Sequence, residues 1–316
     1  MCGIYAHIFS DNSTIDTEHK YSIKNRGPDN CSSVAVSRNV HFTFHRLKIN
    51  DLSDAGNQPL RYHNVTLICN GEIYNSNQLK SEFDIEWTST SDCEVLLHVY
   101  KKYGFKEMCN KIDGVFSIVL YDAETDQIYI GRDPFGVRPI FYGQNGFSDI
   151  EIASEMKAIS PSSNTYQFPP GSIMSIDVKH LKCSDPIKYL TVPEIPVGDY
   201  EYSCLQIREA FQKAVHKRLM SDRPIGCLLS GGLDSSLVCA IVAREFKNQG
   251  RGILNTFSIG FHGSTDLAYA KHVAEHIGSC HHEILLTERD FLDAIPTVIK
   301  TIESYDTTTV RASVGN

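Results

Sequence analysis

The sequence predicts a mixed α/β and α+β chain, with two antiparallel sheets in its first part and a partial doubly wound parallel sheet in its second. Up to about residue 190, strand-like apolar runs outnumber helical runs and are joined by short turns. A stretch containing proline and glycine, with little apolar periodicity, follows. From about Ser203 helices and strands alternate, which is typical of a parallel sheet with crossover helices.

The change of pattern also predicts the domain boundaries. The stretch 190–202 contains Pro193, Pro196 and Gly198, a composition typical of a linker. We therefore expect a first domain at 2–190, a linker at 191–204 and a second domain at 205–316.

Composition excludes several classes of protein. The 316 residues include 30 basic and 38 acidic side chains, a net charge of −8, and 41% are hydrophobic. The chain can therefore bury a core, and its charge argues against partners that are nucleic acids or anionic membranes. No apolar run is long enough to span a bilayer, and the first residues lack the features of an export signal. We expect a cytoplasmic location, where the ten irregularly spaced cysteines stay reduced.

Local patterns in the first part predict a helix, a tight turn and a hairpin. The dipeptide Asn70-Gly71 follows an apolar run and is common in tight turns, so we expect the tip of a hairpin there. Helical spacing of apolar residues predicts a helix at 92–102 with Ser91 as its N-cap. The runs 115–121 and 127–130 flank a polar segment and predict a hairpin.

The second part follows a βαβαβ pattern. An apolar stripe through Phe211 and Leu219 predicts an initial helix. The elements predicted after it are a short buried strand at 224–229, a helix at 235–246, a strand at 253–259, a helix at 266–277 and a strand at 282–286.

Cys2 is the first chemical candidate. A small second residue permits removal of Met1, which would place a thiol and a free α-amine on one residue. The amine has an ordinary pKa of about 7.7–8.0 and the thiol about 8.5. The amine can therefore take the thiol proton directly or through a water, so nucleophile and base share one residue.

Seven separated signatures resemble the glutaminase domain of the N-terminal-nucleophile amidotransferases. In order they are Cys2-Gly3-Ile4, Arg26-Gly27-Pro28-Asp29, His45-Arg46-Leu47, Gln58-Pro59-Leu60, Asn70-Gly71-Glu72-Ile73-Tyr74-Asn75, Ser91-Asp92-Cys93-Glu94 and Gly131-Arg132-Asp133-Pro134-Phe135-Gly136-Val137-Arg138-Pro139. The resemblance implies an αββα sandwich and hydrolysis of glutamine through a γ-glutamyl thioester on Cys2.

The resemblance also implies roles for the residues of the glutamine site. Asn70 and Gly71 would donate to the oxyanion, for which a hairpin tip would be a rigid support. Arg46 would bind the α-carboxylate of glutamine through two prongs, and Asp92 would bind its α-ammonium group. Groups near three further residues would complete the pocket: Ile49, Asn50 and Glu72.

A glycine turn between a strand and a helix is the second chemical candidate. Its sequence is Leu229-Ser230-Gly231-Gly232-Leu233-Asp234-Ser235-Ser236, which lacks the Lys of a Walker A loop. Backbone N–H groups, hydroxyls and the helix start suit phosphate oxygens. The string resembles the pyrophosphate loop, or PP-loop, of ATP pyrophosphatases, which implies ATP as a cofactor and Asp234 as a ligand of Mg²⁺.

A glutaminase joined to this loop resembles the glutamine-hydrolysing asparagine synthetases. That resemblance implies synthesis of β-aspartyl-AMP from aspartate and ATP, followed by displacement of AMP by ammonia. Leu229 and Ile259 would flank the adenine, and Thr308 and Arg311 would face pyrophosphate or aspartate. The small-molecule partners are then glutamine, aspartate and ATP. The sequence does not determine the oligomeric state, for which a homodimer stays an open alternative.

Two histidine pairs have a metal-binding and a structural interpretation. His41 and His45 are four residues apart, about 13 Å along a strand, too far to bind one ion without a bend. His281-His282 suits a polar strand edge better than a metal site. We expect both pairs to be structural.

Two functional readings remain open. Motifs of the family's synthetase domain expected beyond Gly315 are not in the sequence, so the chain is expected to be a fragment or a shortened relative with a competent glutaminase and doubtful asparagine synthesis. The alternative is a non-catalytic remnant or a stand-alone glutaminase. Amidotransferases that make a β-lactam or act on a ribose phosphate fit less well, because the former lack a working nucleophile and the latter lack the ATP loop.

Overall fold

The computed structural model describes residues 1–10, 19–146, 148–190 and 198–315. These residues fall into two compact units, Met1–Glu194 and Ile195–Asn316. Pro193 and Pro196 of the predicted linker lie outside the described residues. No helix in the described ranges is both long and apolar enough to cross a membrane.

The first unit consists mainly of strands. Its elements are β1 (Gly3–Phe9), β2 (Asn30–Ser37), β3 (Val40–Arg46), β4 (Leu60–Tyr62), β5 (Val65–Ile73), α1 (Ser76–Lys80), α2 (Val95–Tyr103), α3 (Phe105–Lys111), β6 (Gly114–Asp122), β7 (Gln127–Arg132), β8 (Phe141–Asn145), β9 (Asp149–Ala153), β10 (Asn164–Gln167), β11 (Ser172–Asp177), β12 (Lys182–Cys183) and β13 (Ile187–Lys188).

These strands form two sheets, as the sequence predicts. One has the order β10-β8-β9-β1-β3-β2, and the other has β12-β11-β7-β6-β5-β4 with β13 paired to β11. Every recorded pairing in both sheets is antiparallel. The predicted hairpin joins β6 and β7.

Two cores hold the first unit together. Between the sheets, Ile4, Phe44, Ile68 and Val119 are fully buried. The other face of the second sheet packs on α2 and α3, where Leu96 is fully buried. Because strand residues alternate between faces, β5 contributes to both cores. This double anchoring makes β5 a rigid support.

The prediction of a turn at Asn70-Gly71 is wrong. Both residues lie inside β5, which pairs with β6 without a break from Val65 opposite Asp122 to Ile73 opposite Gly114. The ladder offered by β6 outweighs the local turn preference of the dipeptide, because pairing satisfies the backbone polar groups of a buried strand.

The predicted helix at 92–102 begins later than expected. α2 starts at Val95 with Glu94 at the N-cap position, whereas Ser91 accepts a hydrogen bond from Cys93 N in the preceding turn. The Glu94 carboxylate accepts from Ser89 N instead of capping the helix. Local side-chain bonds in the 88–94 segment therefore compete with an earlier helix start.

The second unit is an α/β structure. Its elements are α4 (Tyr200–Lys217), β14 (Gly226–Leu228), α5 (Leu233–Asn248), β15 (Asn255–Gly260), α6 (Thr265–Ile277), β16 (Cys280–Leu285), α7 (Glu288–Ile302) and α8 (Thr307–Ser313). The strands pair in the order β14-β15-β16, and both pairings are parallel. The predicted parallel sheet with crossover helices is confirmed.

Two details of the second unit differ from the prediction. Residues 200–204 of the predicted linker are helical, because the Asp199 carboxylate caps α4 by accepting from Tyr202 N. The strand expected to be buried is not: Leu228 of β14 is 72% exposed. Apolar sequence alone does not bury a strand unless another element covers its face.

Three histidines of the first unit, His7, His41 and His45, lie in poorly hydrated positions. His7 and His41 are directly opposite each other in the β1–β3 ladder, and His45 Nε2 lies 2.9 Å from the Lys20 carbonyl. Burial, with the positive charges of Lys20 and His7, lowers the pKa of His41 to about 4. Burial also lowers the pKa of His7 and of His45. The His41 imidazole is therefore neutral near pH 7.

We expect the first unit to lose stability as the pH falls from about 6.5 towards 4. In that window His41 is protonated in the unfolded chain but stays neutral in the folded chain. The free energy of unfolding therefore falls by at most about 1.4 kcal/mol per pH unit for this one histidine. Urea unfolding followed by the fluorescence of the only tryptophan, Trp87, measures this.

The variant His41→Gln should flatten the slope, because glutamine does not titrate. His63→Asn is the matched control: His63 is exposed in the same unit, and asparagine fits its left-handed backbone (φ 51°). An unchanged slope in His41→Gln would contradict the assignment.

Candidate active site

The Cys2 thiol is held by the backbone of Leu47. Leu47 N donates to Cys2 Sγ at 3.4 Å, and Cys2 Sγ lies 3.6 Å from the Leu47 carbonyl. Burial raises the pKa of the Cys2 thiol, although the bond from Leu47 N and the nearby amino terminus oppose the rise. The sulfur therefore has a defined position directly before β1.

The Arg26-Gly27-Pro28-Asp29 segment fixes the backbone at Cys2. Arg26 Nε donates to the Cys2 carbonyl at 2.9 Å, and its Nη1 forms a 2.7 Å ion pair with Glu155. A Cβ on Gly27 would lie 2.1 Å from the His45 carbonyl oxygen, so only glycine allows this approach to the end of β3. Arg26 is a positioning residue that sequence reasoning did not assign.

Asn70 brings an unpaired donor into the same pocket. Its side chain is 2% exposed, and its Nδ2 has no hydrogen-bond partner. A buried amide without an acceptor is costly, and such groups are concentrated at functional sites. Asn70 lines one pocket together with Cys2.

The pleat of β5 directs a second donor to this pocket. Phe116, opposite Gly71, uses its backbone N–H and C=O towards Asp133, so the Gly71 N–H points away from β6. On the same edge of β5, Cys69 N donates to the Gln58 side chain at 2.6 Å and Ile73 N donates to Asp92 Oδ2 at 2.7 Å. Gly71 N–H lies between these two satisfied donors, beside Asn70.

A buried carboxylate forms the acidic side of the pocket. Asp92 is 6% exposed, and burial raises its pKa, while the bond from Ile73 N opposes this rise. A cation entering the pocket would favour the charged form of Asp92. The site residues predicted for glutamine all line this pocket with Cys2; they are Arg46, Ile49, Asn50, Asn70, Gly71, Glu72 and Asp92.

Arg46 does not present the predicted two-pronged fork. Its Nη1 donates to the Ser53 carbonyl and to Asn57 Oδ1, both at 2.7 Å. Its Nη2 donates to the carbonyls of Asn50 and Asp51. Since all four terminal N–H groups bind the 50–57 loop, a two-pronged contact with a carboxylate requires Arg46 to release loop acceptors.

Arg138 supplies a further positive charge that the sequence reasoning left without a role. Its Nη2 lies 3.0 Å from Glu72 Oε1, and its buried Nε has no hydrogen-bond partner. The carboxylate of Asp133 accepts from Val137 N and Arg138 N, which holds this loop at the pocket. The Gly131–Pro139 string was the available signal.

Met1 lies at the mouth of the pocket and lines it. Its side chain is about half exposed, and burial lowers the pKa of its α-amine. A lower pKa increases the share of neutral amine that can act as a base, and removal of Met1 transfers that role to the amine of Cys2.

The second unit contains the predicted glycine loop between β14 and α5. Ser230 Oγ lies 2.9 Å from Ser235 Oγ, and Ser236 Oγ donates to the Gly232 carbonyl at 2.7 Å. Gly231 has φ 80°, and a Cβ there would lie 2.7 Å from Ala270 N. The loop ends at the start of α5, whose first N–H groups lack helical acceptors and suit an anion. Its members Leu233 and Asp234 open the first turn of α5.

A cavity of about 390 Å³ adjoins this loop where the three parallel strands end. Leu229, Ser230 and Ile259 line it, at the edge where open α/β sheets bind ligands. Leu229 is 1% exposed and also packs in the core. Thr308 and Arg311 lie on α8 and are not among the described residues that line it.

The predicted histidine edge has a structural role. His281 lies on β16, the last strand in the described parallel sheet, 2.9 Å from Thr256 Oγ1 and 3.0 Å from Ser258 Oγ. His282 stacks on Phe257. The described residues contain no group of three or more His, Cys, Asp or Glu side chains arranged to hold a metal ion.

Comparison with protein families matches both units. Residues 1–207 match the glutamine amidotransferase domain family, and residues 206–315 match the asparagine synthase family. The glutamine-hydrolysing asparagine synthetases of Bos taurus and Homo sapiens are 39% and 37% identical over 345 aligned positions. Each alignment includes all of this chain and 61% of the relative, so the chain spans about three fifths of their length.

Two solved structures share the fold. The allosteric regulatory enzyme of purine biosynthesis has a TM-score of 0.52 at 15% identity, covering 99% of this chain and 88% of that one. The glutamine phosphoribosylpyrophosphate amidotransferase of B. subtilis has a TM-score of 0.50 at 16% identity, covering 89% and 65%. Both support the sandwich of two antiparallel sheets in the first unit.

We expect Asn70→Ala to change the free energy of unfolding by no more than about 0.5 kcal/mol, because the packing lost with the side chain is offset by the removal of a buried donor that has no partner. Asn75 is the matched control: its Nδ2 donates to the Lys111 carbonyl at 2.8 Å, and its Oδ1 accepts from Asp113 N at 3.0 Å. Asn75→Ala should lower stability by about 1–3 kcal/mol.

Urea unfolding of both variants at pH 7.5 makes the comparison. Equal destabilisation by the two substitutions would show that the Asn70 amide has a structural partner and would contradict its assignment as a free donor.

Proposed function

The chain belongs to the glutamine amidotransferase domain family, and we propose that it hydrolyses glutamine to glutamate and ammonia with Cys2 as the nucleophile. One observation supports this above the others: the Cys2 sulfur and the unpaired Asn70 amide line the same pocket. This is the pairing of nucleophile and oxyanion donor that acyl transfer requires.

The proposed reaction begins when removal of Met1 frees the α-amine of Cys2. The amine takes the thiol proton, and the sulfur attacks the side-chain carboxamide carbon of glutamine. Asn70 Nδ2 and Gly71 N–H donate to the oxyanion as it forms, a contribution of several kcal/mol per donor in comparable sites. Ammonia leaves with the proton from the amine, and water then hydrolyses the thioester.

The same pocket has charges that suit the other end of glutamine. Asp92 and Glu72 supply carboxylates for the α-ammonium group. Arg46 and Arg138 supply positive charge for the α-carboxylate. To bind it, Arg46 would release hydrogen bonds to loop carbonyls and donate to the substrate instead. Leu47 keeps the sulfur in place throughout, because it bonds through backbone atoms.

We further propose that the second unit binds ATP for the activation of aspartate. The loop Ser230-Gly231-Gly232 and the start of α5 suit the phosphates, and the adjoining cavity suits the adenosine. Asp234 lies in the first turn of α5 and offers an oxygen ligand for Mg²⁺, which would neutralise phosphate charge when bound.

The second candidate function is glutamine hydrolysis without asparagine synthesis. It is favoured by the position of Thr308 and Arg311, which lie outside the lining of the cavity. Supplying aspartate, ATP, Mg²⁺ and glutamine separates the candidates: asparagine and AMP support the synthetase, whereas glutamate alone supports the second candidate.

Cys2→Ala should lower the rate of glutamate release by at least about 10³-fold, because it removes the only proposed nucleophile. Glutamate formation by the Met1-processed chain measures this, with Cys31→Ala, an exposed cysteine on β2, as the control. Any activity with ammonia as the nitrogen source should persist in Cys2→Ala. Acylation of another side chain, or full activity with Met1 retained, would refute the assignment.

Asp234→Ala should lower AMP formation from ATP by at least about tenfold while leaving glutamate release within twofold of the parent. The reason is that Asp234 belongs to the phosphate loop and Cys2 to a separate pocket. Asp293→Ala, on the exposed face of α7, is the control. A parallel loss of glutaminase activity would contradict separate sites.

A further inference from the structure

Two cysteines besides Cys2 line the glutamine pocket. Cys69 and Cys93 are 1% and 3% exposed, belong to the same buried cluster and both reach the pocket wall. The proposed hydrolysis uses neither. Three thiols in one small pocket are unusual for a site that needs a single nucleophile.

The two thiols connect the two segments that hold the proposed substrate groups. Cys69 directly precedes Asn70 on β5, and its sulfur lies 3.0 Å from where a Cβ on Gly71 would be. Cys93 directly follows Asp92. The segments are already bridged once by the bond from Ile73 N to Asp92 Oδ2. A covalent bond between the sulfurs would therefore act on the oxyanion donors and on the Asp92 carboxylate together.

We propose that Cys69 and Cys93 form a redox pair whose disulfide stops glutamine hydrolysis in this pocket, an inference that rests on the proposed function. An S–S bond is about 2.05 Å long, well inside any non-bonded sulfur contact. Closing it draws β5 and the 91–94 turn together. Displacements of about 1 Å at reacting groups lower rates by about 10²-fold, so Asn70 and Asp92 need not move far.

The oxidant is a peroxide, and the reaction balances. One thiolate attacks a peroxide oxygen, forming a sulfenic acid and releasing hydroxide, which takes up the displaced proton to give water. The second thiol attacks the sulfenic sulfur and expels a second water. Two thiols are oxidised by two electrons, and one peroxide bond is reduced. A dithiol reductant reverses the change by thiol–disulfide exchange.

The environment of Cys93 makes its thiol slow to react. Hydrogen bonding to the Cys69 thiol, together with burial, raises the pKa of Cys93. Little Cys93 thiolate is present at neutral pH, so its attack on an oxidant is slow. Access is through the pocket itself, which means that a bound substrate shields both sulfurs.

The first test maps the bond without requiring enzyme activity. The Cys2→Ala chain is treated with diamide, which takes two electrons and two protons from a dithiol, and is then alkylated, digested and analysed by mass spectrometry. We expect a peptide of β5 linked to a peptide of the 91–94 segment through Cys69 and Cys93. Absence of that linked peptide would overturn the proposal.

The second test measures the consequence in the Met1-processed parent chain. Diamide should lower glutamate release at least tenfold, and dithiothreitol should restore it. Cys93→Ser, compared with its own untreated rate, should keep more than half of its activity, and Cys69→Ser is the second variant if Cys93→Ser does not fold. Cys183→Ser, outside the pocket, should behave like the parent.

The outcomes separate this inference from the proposed function. Equal inactivation of Cys93→Ser and parent, or a linked peptide in a chain of unchanged activity, would overturn the redox pair. If the linked peptide forms but no untreated preparation releases glutamate, formation of the Cys69–Cys93 disulfide is supported and the glutaminase assignment fails.

Discussion

The pairing of β5 with β6 is the constraint on which the pocket of Cys2 and Asn70 depends. It runs over nine residues of each strand and continues through Asn70 and Gly71, although the short β4 pairs with only three residues of β5. β4 begins only at Leu60, and Cys69 N donates to the side chain of Gln58 instead of to a strand backbone. The free edge of β5 is therefore available to Gln58, to Asp92 and, between them, to an oxyanion.

Unsatisfied groups collect at this edge because the cores on both sides of β5 hold it in place. Asn70 Nδ2 and Arg138 Nε are buried without partners, and Asp92 is kept in a poorly hydrated position. Each of these three groups lowers the stability of the fold, and each offers a charge or a hydrogen-bond donor with which a substrate can pair. The hairpin tip that the sequence predicted here would lie at the end of its strands, where water could reach the same groups.

The same edge of β5 places the two proposed redox cysteines next to the residues of the pocket. Cys69 and Cys93 are small and apolar enough to pack in the core, yet each is adjacent to a residue that the reaction needs. Cysteines that pack in a core are usually inert. Cys69 and Cys93 pack in the core and also line the pocket, because the pocket wall is formed by the edge of that core.

The identities of the chemical groups were readable from the sequence, but their arrangement was not. Cys2 and the glycine loop were predicted because each joins a residue type to a chemistry, whereas the roles of Asn70 and Asp92 were what the resemblance to the amidotransferases implied. These residues line the expected pocket or loop. The strand through Asn70-Gly71, the engagement of Arg46 with its own loop and the position of Cys69 beside Cys93 were decided by tertiary structure. Local sequence encodes preferences of a fraction of a kcal/mol per residue, whereas long-range pairing and burial act through contacts between residues far apart in the chain.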